Sequence, residues 1–568
     1  MNGAQWLVRT LRDRGVEQVF VLCGNGTESF LDACLDFNMR VIDVRNEQAA
    51  SYMADTWGGM TGRLGVVAVS SGPGHTNTLT GLANAFWDGR PMLLISGCSA
   101  QETRGMDNFQ ELDQVGMAAP VCKYAGMVHH IVALPQQVDT ALSRALTGRP
   151  GPVHLTIPVD VFGAEVDEDA VPRQGKRPAP AVVHQRCRGD QVLVREAVAM
   201  LATAKRPFMV VGSGVFYARA WEALAEFAEV VNLPIVSHIW DRCCIERPIP
   251  QYMGVTNEDL NAAMPLLSKA DVVLVVGARI DYRLWHGRPP QFPLGARVIR
   301  VDAEPSEIGR TVSPDIGIVG DPASVLRQMI GEARRAEGWS NGGQRSPGQP
   351  SGAGWLDVVR ASRDRLLTKW DRLGHEDVCP VPSIRICREI KPFLDREVTF
   401  LLDGGNIGRW AHMILFDRHP SHWFTCGASG VVGWGFSGAV AAKLARPDHP
   451  VLLLSGDGAA GFNVTEIETA LRFHTPYVAV IAHDGAWGIV ADGQPEGRSV
   501  ASEFGEIRFD RLAEALGARG ILIRDPRELG PSIEEGLAAD TVVVIQVPTQ
   551  RAGIACWEER FGSLSAPR

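Results

Sequence analysis

Residues 451–490, VLLLSGDGAAGFNVTEIETALRFHTPYVAVIAHDGAWGIV, constrain the fold of this chain most. They read as an apolar strand (VLLLS), a Gly-Asp-Gly turn, an amphipathic helix and a second apolar strand (YVAVIA) closed by His483-Asp484-Gly485. Two buried strands joined through a helix form a right-handed parallel βαβ unit. Asp457 and Asp484 then stand just past the carboxyl ends of neighbouring strands, the edge where open α/β sheets bind ligands. A carboxylate pair beside glycine-opened backbone makes a hard-oxygen site. Mg²⁺ suits such a site because it keeps valences for water and phosphate. The unit reads as a device for holding a diphosphate through a metal.

The same alternation recurs along the chain. Apolar runs lie at 41–44 (VIDV), 65–71 (GVVAVSS) and 91–97 (PMLLISG), then at 207–213, 233–238, 271–278 and 296–303, and again at 397–405 and 540–548. Two breaks separate these groups: 164–190, rich in charge and proline, and a second connector at 337–378 whose start, 337–354, is rich in Gly, Ser, Pro and Gln. The expected organisation is three α/β domains with mainly parallel sheets, at 1–163, 191–336 and 379–550, and a tail at 551–568. A net charge of −9 argues against a nucleic-acid partner. No apolar run approaches the ~20 residues needed to span a bilayer. The N-terminal MNGAQWLVRTLRDRG reads as an amphipathic helix and lacks the apolar region of a signal peptide. The 11 cysteines, Cys243-Cys244 among them, contain no C-x-x-C. They are expected to be free thiols in a reducing cytoplasm, with no zinc site.

The first domain has its own chemistry. Arg45-Asn46-Glu47-Gln48-Ala49-Ala50 opens a helix with Glu47 in its first turn, where the helix dipole favours a carboxylate. Ser71-Gly72-Pro73-Gly74-His75 is a glycine-rich turn after a strand. Either feature alone is ordinary. However, RNEQAA, VSSGPGHTN, FQELDQV, TGRPGPVHLTIPVD, VVGARIDYRLWHGRPPQF and GDG…HDGAWGI follow one another in a characteristic order. In this the chain resembles, over nearly its whole length, the thiamine diphosphate-dependent enzymes of the acetolactate synthase, benzaldehyde lyase and 2-hydroxyacyl-CoA lyase group.

The resemblance implies a pyrimidine-binding domain first, a central Rossmann-like domain second and a diphosphate-binding domain last. It places the cofactor between the first domain of one subunit and the last domain of another, so a homodimer is the minimum and a homotetramer is common. Glu47 matches the catalytic glutamate that hydrogen-bonds the aminopyrimidine ring. Asp457 matches the metal-binding aspartate, Asp484 falls at the metal-binding asparagine, and the Ala486 carbonyl is the expected third ligand of Mg²⁺. Gly456, Gly458, Ala459, Ala460, Asn406 and Ile407 fall where the diphosphate is bound. Gly430 precedes Val432, which matches the apolar wedge that bends the cofactor. Gly24 and Asn25 belong to the loop facing the thiazolium, and Gly74 to the turn beside Glu47. Gln110, with Phe109 beside it, matches an active-site glutamine. Trp487 is either an aromatic wall or core, His75 a proton relay or a satisfied loop histidine, and Asn25 a substrate donor or a turn residue.

Several departures from the family bear on function. His483-Asp484 replaces the usual Asn-Asn, so two carboxylates face each other and metal binding should be tight and pH-dependent. An inactive homologue with a degraded site is the alternative. The C-terminus has no lysine-rich tail, which speaks against CoA as substrate. The central domain holds FAD in some relatives, ADP or CoA in others and nothing in the rest; Arg279 is the residue expected to grip a phosphate. The leading expectation is a carboligase of the acetolactate synthase type. It would decarboxylate a 2-oxo acid to an enamine and add that to a carbonyl acceptor. A C–C lyase of the benzaldehyde lyase or 2-hydroxyacyl-CoA lyase type is the same-chemistry alternative, and a non-catalytic nucleotide- or partner-binding homologue the other. A dinucleotide oxidoreductase lacks its last glycine in Gly212-Ser213-Gly214-Val215-Phe216-Tyr217.

Overall fold

The computed structural model describes residues 1–167, 186–242, 245–258, 260–336, 352–495 and 498–551. Runs such as VVLVV (Val272–Val276) and TFLLD (Thr399–Asp403) are apolar or buried at every position. Strands of this kind must be covered on both faces, which parallel sheets flanked by helices achieve. Three six-stranded sheets result, and every strand pair in them is parallel.

The first sheet contains Gln18–Leu22, Arg40–Asp43, Gly65–Val69, Met92–Cys98, Tyr124–Met127 and Pro152–Pro158, in spatial order 2-1-3-4-6-5. The third repeats that order with Thr399–Asp403, Trp423–Thr425, Val451–Gly456, Val478–His483, Arg519–Leu522 and Val543–Pro548. The central sheet differs. Its strands Pro207–Val211, Ile235–His238, Tyr252–Thr256, Val272–Val276, Arg297–Asp302 and Ile316–Val319 run 3-2-1-4-5-6, the order of dinucleotide-binding folds.

The first and third domains share a core. Helix Glu47–Thr61 packs on helix Gly435–Ala445, and Ala49, Ala50, Ala439 and Ala442 let the two approach. Trp434 Nε1 donates to Thr56 Oγ1 at 2.8 Å across this contact. Arg90, fully buried, pairs with Asp55 (2.5 Å) and Asp88 (2.6 Å) and donates to the Thr425 carbonyl. A buried cation needs such partners.

The second connector requires correction. Residues 352–373 of the stretch read as a linker form a helix, Gly352–Leu373. Trp355, Leu356 and Val359 enter the core of the central domain, while Trp370 joins that of the third and lies 4.9 Å from Trp410. The glycine- and proline-rich residues before it obscured an amphipathic pattern. Residues 168–185, 337–351 and 552–568, and the pair Cys243-Cys244, lie outside the described residues. The described cysteines are free thiols. Among the described residues no helix is long and apolar enough to cross a membrane.

Candidate active site

In the third domain the carboxyl ends of Thr399–Asp403, Val451–Gly456 and Val478–His483 converge on a cavity of about 310 Å³. Strands 1 and 3 of the sheet adjoin there, so this is the topological switch point. Gly404 carries φ +104°, and a Cβ on it would sit 2.5 Å from the Gly456 amide, so the two loops can approach only through glycine. Helix Gly405–Ile414 starts in the cavity wall with Asn406 and Ile407. Free amides in a first helical turn attract anions.

Asp457 is 2 % exposed. Its Oδ1 accepts from the Gly458 amide (2.8 Å) and its Oδ2 from the Gly485 amide (2.7 Å). Asp484 Oδ1 accepts from the Ala486 amide (3.1 Å), and Asn406 Nδ2 approaches Oδ2 (3.4 Å). Burial, and then the charge of Asp484, push the Asp457 carboxyl up to about 7. Asp484 is raised as well, chiefly by burial. His483 stands 3.8 Å from Asp457, but burial lowers its pKa, so it is no counter-charge at neutral pH.

Gly430, Val432, Gly456, Gly458, Ala459, Ala486 and Trp487 also line the cavity. Trp487 lies against Gly458 and between Phe462 and Phe504, making it a wall rather than core. Ala460 does not line the cavity; it is buried in the core shared with the first domain. Trp240 and Tyr282 reach the cavity from the central domain: Tyr282 stands in the VVGARIDYRLWHGRPPQF motif without being singled out there, and Trp240 lies outside every motif. Arg551 was missed too: its Nη2 donates to the Asp484 carbonyl at 3.2 Å, and its Nη1 pairs with Glu503.

The remaining site residues form a second cluster, at the equivalent switch point of the first sheet. Glu47 opens its helix, with Asn46 as N-cap, and its Oε2 accepts from Asn77 Nδ2 at 3.0 Å. Gly24 and Gly74 flank Ser70. Asn25 Nδ2 approaches Ser71 Oγ (3.4 Å), which donates to Gln110 Oε1 (3.3 Å). Gln110 has a left-handed backbone (φ +59°), a cost retained where geometry demands it. Phe109 does not pack beside Gln110: it is 73 % exposed. His75 is wholly buried, bonded to Ser96 Oγ at 2.9 Å and lowered by burial to about 4. It is a neutral interior histidine and not a relay at the sheet edge. Gln114, present in the FQELDQV motif but passed over, accepts from the Gly72 amide and donates to the Gly97 carbonyl, and so fixes the glycine-rich turn.

Comparison with known proteins matches the same three units. Residues 1–117 match the N-terminal TPP binding domain of thiamine pyrophosphate enzymes, 194–329 their central domain and 403–547 their C-terminal TPP binding domain. The acetolactate synthase isozyme 3 large subunit of Escherichia coli (strain K12) is 33% identical over 94% of this chain and 92% of its own length. The chain belongs to the thiamine diphosphate-dependent enzymes of the acetolactate synthase group. The acetolactate synthase large subunit of Haemophilus influenzae is 30% identical over 96% of this chain and 93% of its own. A probable large subunit from Methanococcus aeolicus is 29% identical, over 95% and 90%.

For a thiamine diphosphate-dependent enzyme, the third-domain cavity has a suitable donor set. Two carboxylates and the Ala486 carbonyl suit a hard divalent cation. Asn406 Oδ1 and Ser383 Oγ are buried polar atoms in the cavity wall without a protein partner among the described residues. In one chain, Glu47 does not line this cavity. The central domain has a cavity of about 200 Å³ beside its adjacent strands Pro207–Val211 and Val272–Val276, lined by Gly214, Gly277, Arg279 and Asp302 among others. Arg279 stands there, 3.6 Å from Glu307 and over the Trp87 ring, and burial lowers it to about 10.

Proposed function

We propose that the chain is an Mg²⁺-dependent carboligase that decarboxylates a 2-oxo acid and joins the retained fragment to a carbonyl acceptor. The carrying observation is the pairing of Asp457 and Asp484 at the head of the cavity that Val432 and Trp487 complete. Relatives named acetolactate synthase large subunit support the choice of a 2-oxo acid. When bound, thiamine diphosphate supplies the carbon nucleophile and the electron sink.

The residues divide the remaining work. Asp457, Asp484 and the Ala486 carbonyl would hold the metal, Asn406 would meet the diphosphate, and Ile407 and Ala459 would offer it backbone. Val432 would supply apolar volume against the cofactor. Glu47, with Oε2 steadied by Asn77, holds a proton at the aminopyrimidine ring nitrogen. Asn25 and Gln110, linked through Ser71, face the substrate as polarising donors.

A second copy supplies Glu47 to each cavity. Exposed Met106 (70 %) and Phe109 (73 %) beside Gln110 give the apolar surface such a partner would cover. Arg279 offers the central cavity a phosphate grip, and release of FAD, ADP or CoA on denaturing the purified chain tests that reading.

One feature favours the lyase reading instead: three aromatic walls, Trp240, Tyr282 and Trp487, suit a bulky aryl or acyl fragment. Mass spectrometry of products separates the two. The purified chain with thiamine diphosphate and Mg²⁺ is given pyruvate and other 2-oxo acids with aldehyde acceptors, and separately 2-hydroxy ketones and 2-hydroxyacyl-CoAs. Acetolactate or a homologous ligation product supports the carboligase. Aldehyde release from the second panel, with no ligation in the first, overturns it.

A further inference from the structure

A third cavity lies where the central domain, helix Gly352–Leu373 and the third domain meet, and it plays no part in the chemistry above. Its volume is about 490 Å³, larger than the cofactor cavity, and the two share no lining residue. Ile249, Met253, Leu260, Leu366, Met413 and Phe416 make its walls apolar. Junctions between domains are a common place for small-molecule sites, which pair apolar walls with a few placed polar groups.

The polar groups here differ in how far they are committed. Arg363 Nη1 donates to the Tyr252 carbonyl at 2.6 Å, and its other nitrogens donate to Asp364. Lys391 stands 3.8 Å from Asp417. Arg388 is different: its Nη1 is buried and has no partner among the described residues. His412, 2 % exposed, also lines the cavity, and neither ring nitrogen has a partner there. A buried charged donor left unmet is costly, and two unmet polar side chains in the lining of one cavity mark a place made for a polar group.

We propose that this cavity binds a monocarboxylate with an apolar body, the carboxylate on Arg388 and the body along Ile249, Leu260, Leu366 and Met413. A guanidinium meets a carboxylate with two parallel hydrogen bonds, and the imidazole N–H of His412 adds a third donor. Asp371 and Asp417 also line the cavity, Asp417 beside Lys391, and their charge counts more against a doubly charged phosphate monoester than against a carboxylate. The site does not depend on the reading of the reaction.

Calorimetry tests it, with octanoate titrated into the full-length chain loaded with thiamine diphosphate and Mg²⁺. One saturable site per chain is expected, and octan-1-ol should bind at least about tenfold more weakly because it lacks the charge. Arg388→Gln should weaken octanoate by about tenfold or more and erase the preference over the alcohol. Leu366→Trp, which fills the cavity, should abolish binding. Both variants should still take up thiamine diphosphate normally, showing that the fold and the cofactor cavity are intact. No saturable heat with millimolar octanoate would mean that water alone fills the cavity and would overturn the proposal. Equal octanoate binding by the parent chain and both variants would overturn it as well.

Discussion

Asp457 is where residue chemistry and pH meet. Burial and the neighbouring charge of Asp484 hold its carboxyl near 7. It is therefore protonated below that pH and anionic above it, and a divalent cation needs the anion. Without metal, the raised pKa favours the folded chain at low pH, and that contribution is lost as pH rises through about 7. Metal relieves the loss. The gain in Tm from Mg²⁺ with thiamine diphosphate should thus be larger at pH 8 than at pH 6, as thermal denaturation at both pH values can show. Asp484→Asn removes the repelling charge, so the pH midpoint of Mg²⁺ uptake should fall; an unchanged midpoint would exclude coupling between the two carboxylates. Glu47→Gln should cut turnover by roughly 10²–10⁴-fold, the usual worth of a positioned acid or base, with cofactor affinity little altered. Steady-state rates and a thiamine diphosphate titration separate these effects.

At the scale of elements, helix Gly352–Leu373 ties the central domain to the third. Trp355, 8 % exposed, donates through Nε1 to the Pro207 carbonyl at 3.1 Å. Trp355→Ala should destabilise the chain by about 3–5 kcal/mol through the cavity it leaves, as denaturant unfolding would measure. The helix was legible after all: Trp355, Leu356, Val359, Leu366 and Trp370 recur at helical spacing, just past the Gly- and Pro-rich stretch whose composition set the linker reading. Interior strands such as Val272–Val276 were plain because each position is buried. Most edge strands were not, the run at 41–44 being an exception. Tyr124–Met127 and Arg519–Leu522 are only partly buried, and Trp423–Thr425 has three residues, too few for any period to show.

For the whole molecule, the consequence lies in two clusters that share no cavity in one chain, Glu47 with Asn77 in the first domain and Asp457 with Asp484 in the third. If a second copy completes each site, mixing inactive Glu47→Gln and Asp457→Asn chains should restore activity. A random mixture is half hybrid dimers, each with one intact site, so about a quarter of the parent rate is expected. Activity assays after unfolding and refolding the mixture would show it, and no recovery would place both clusters' work within one chain.

Sequence alone determined the three α/β domains and pointed to the residue types proposed for the site, because strand burial, glycine turns and metal-ligand chemistry are local properties written in short motifs. Tertiary structure alone decided that Trp240 and Tyr282 wall a third-domain cavity, that His75 is interior and that Arg388 and His412 line one cavity beside a helix taken for a linker. Those outcomes depend on which surfaces pack together, and packing brings together residues that no sequence spacing links.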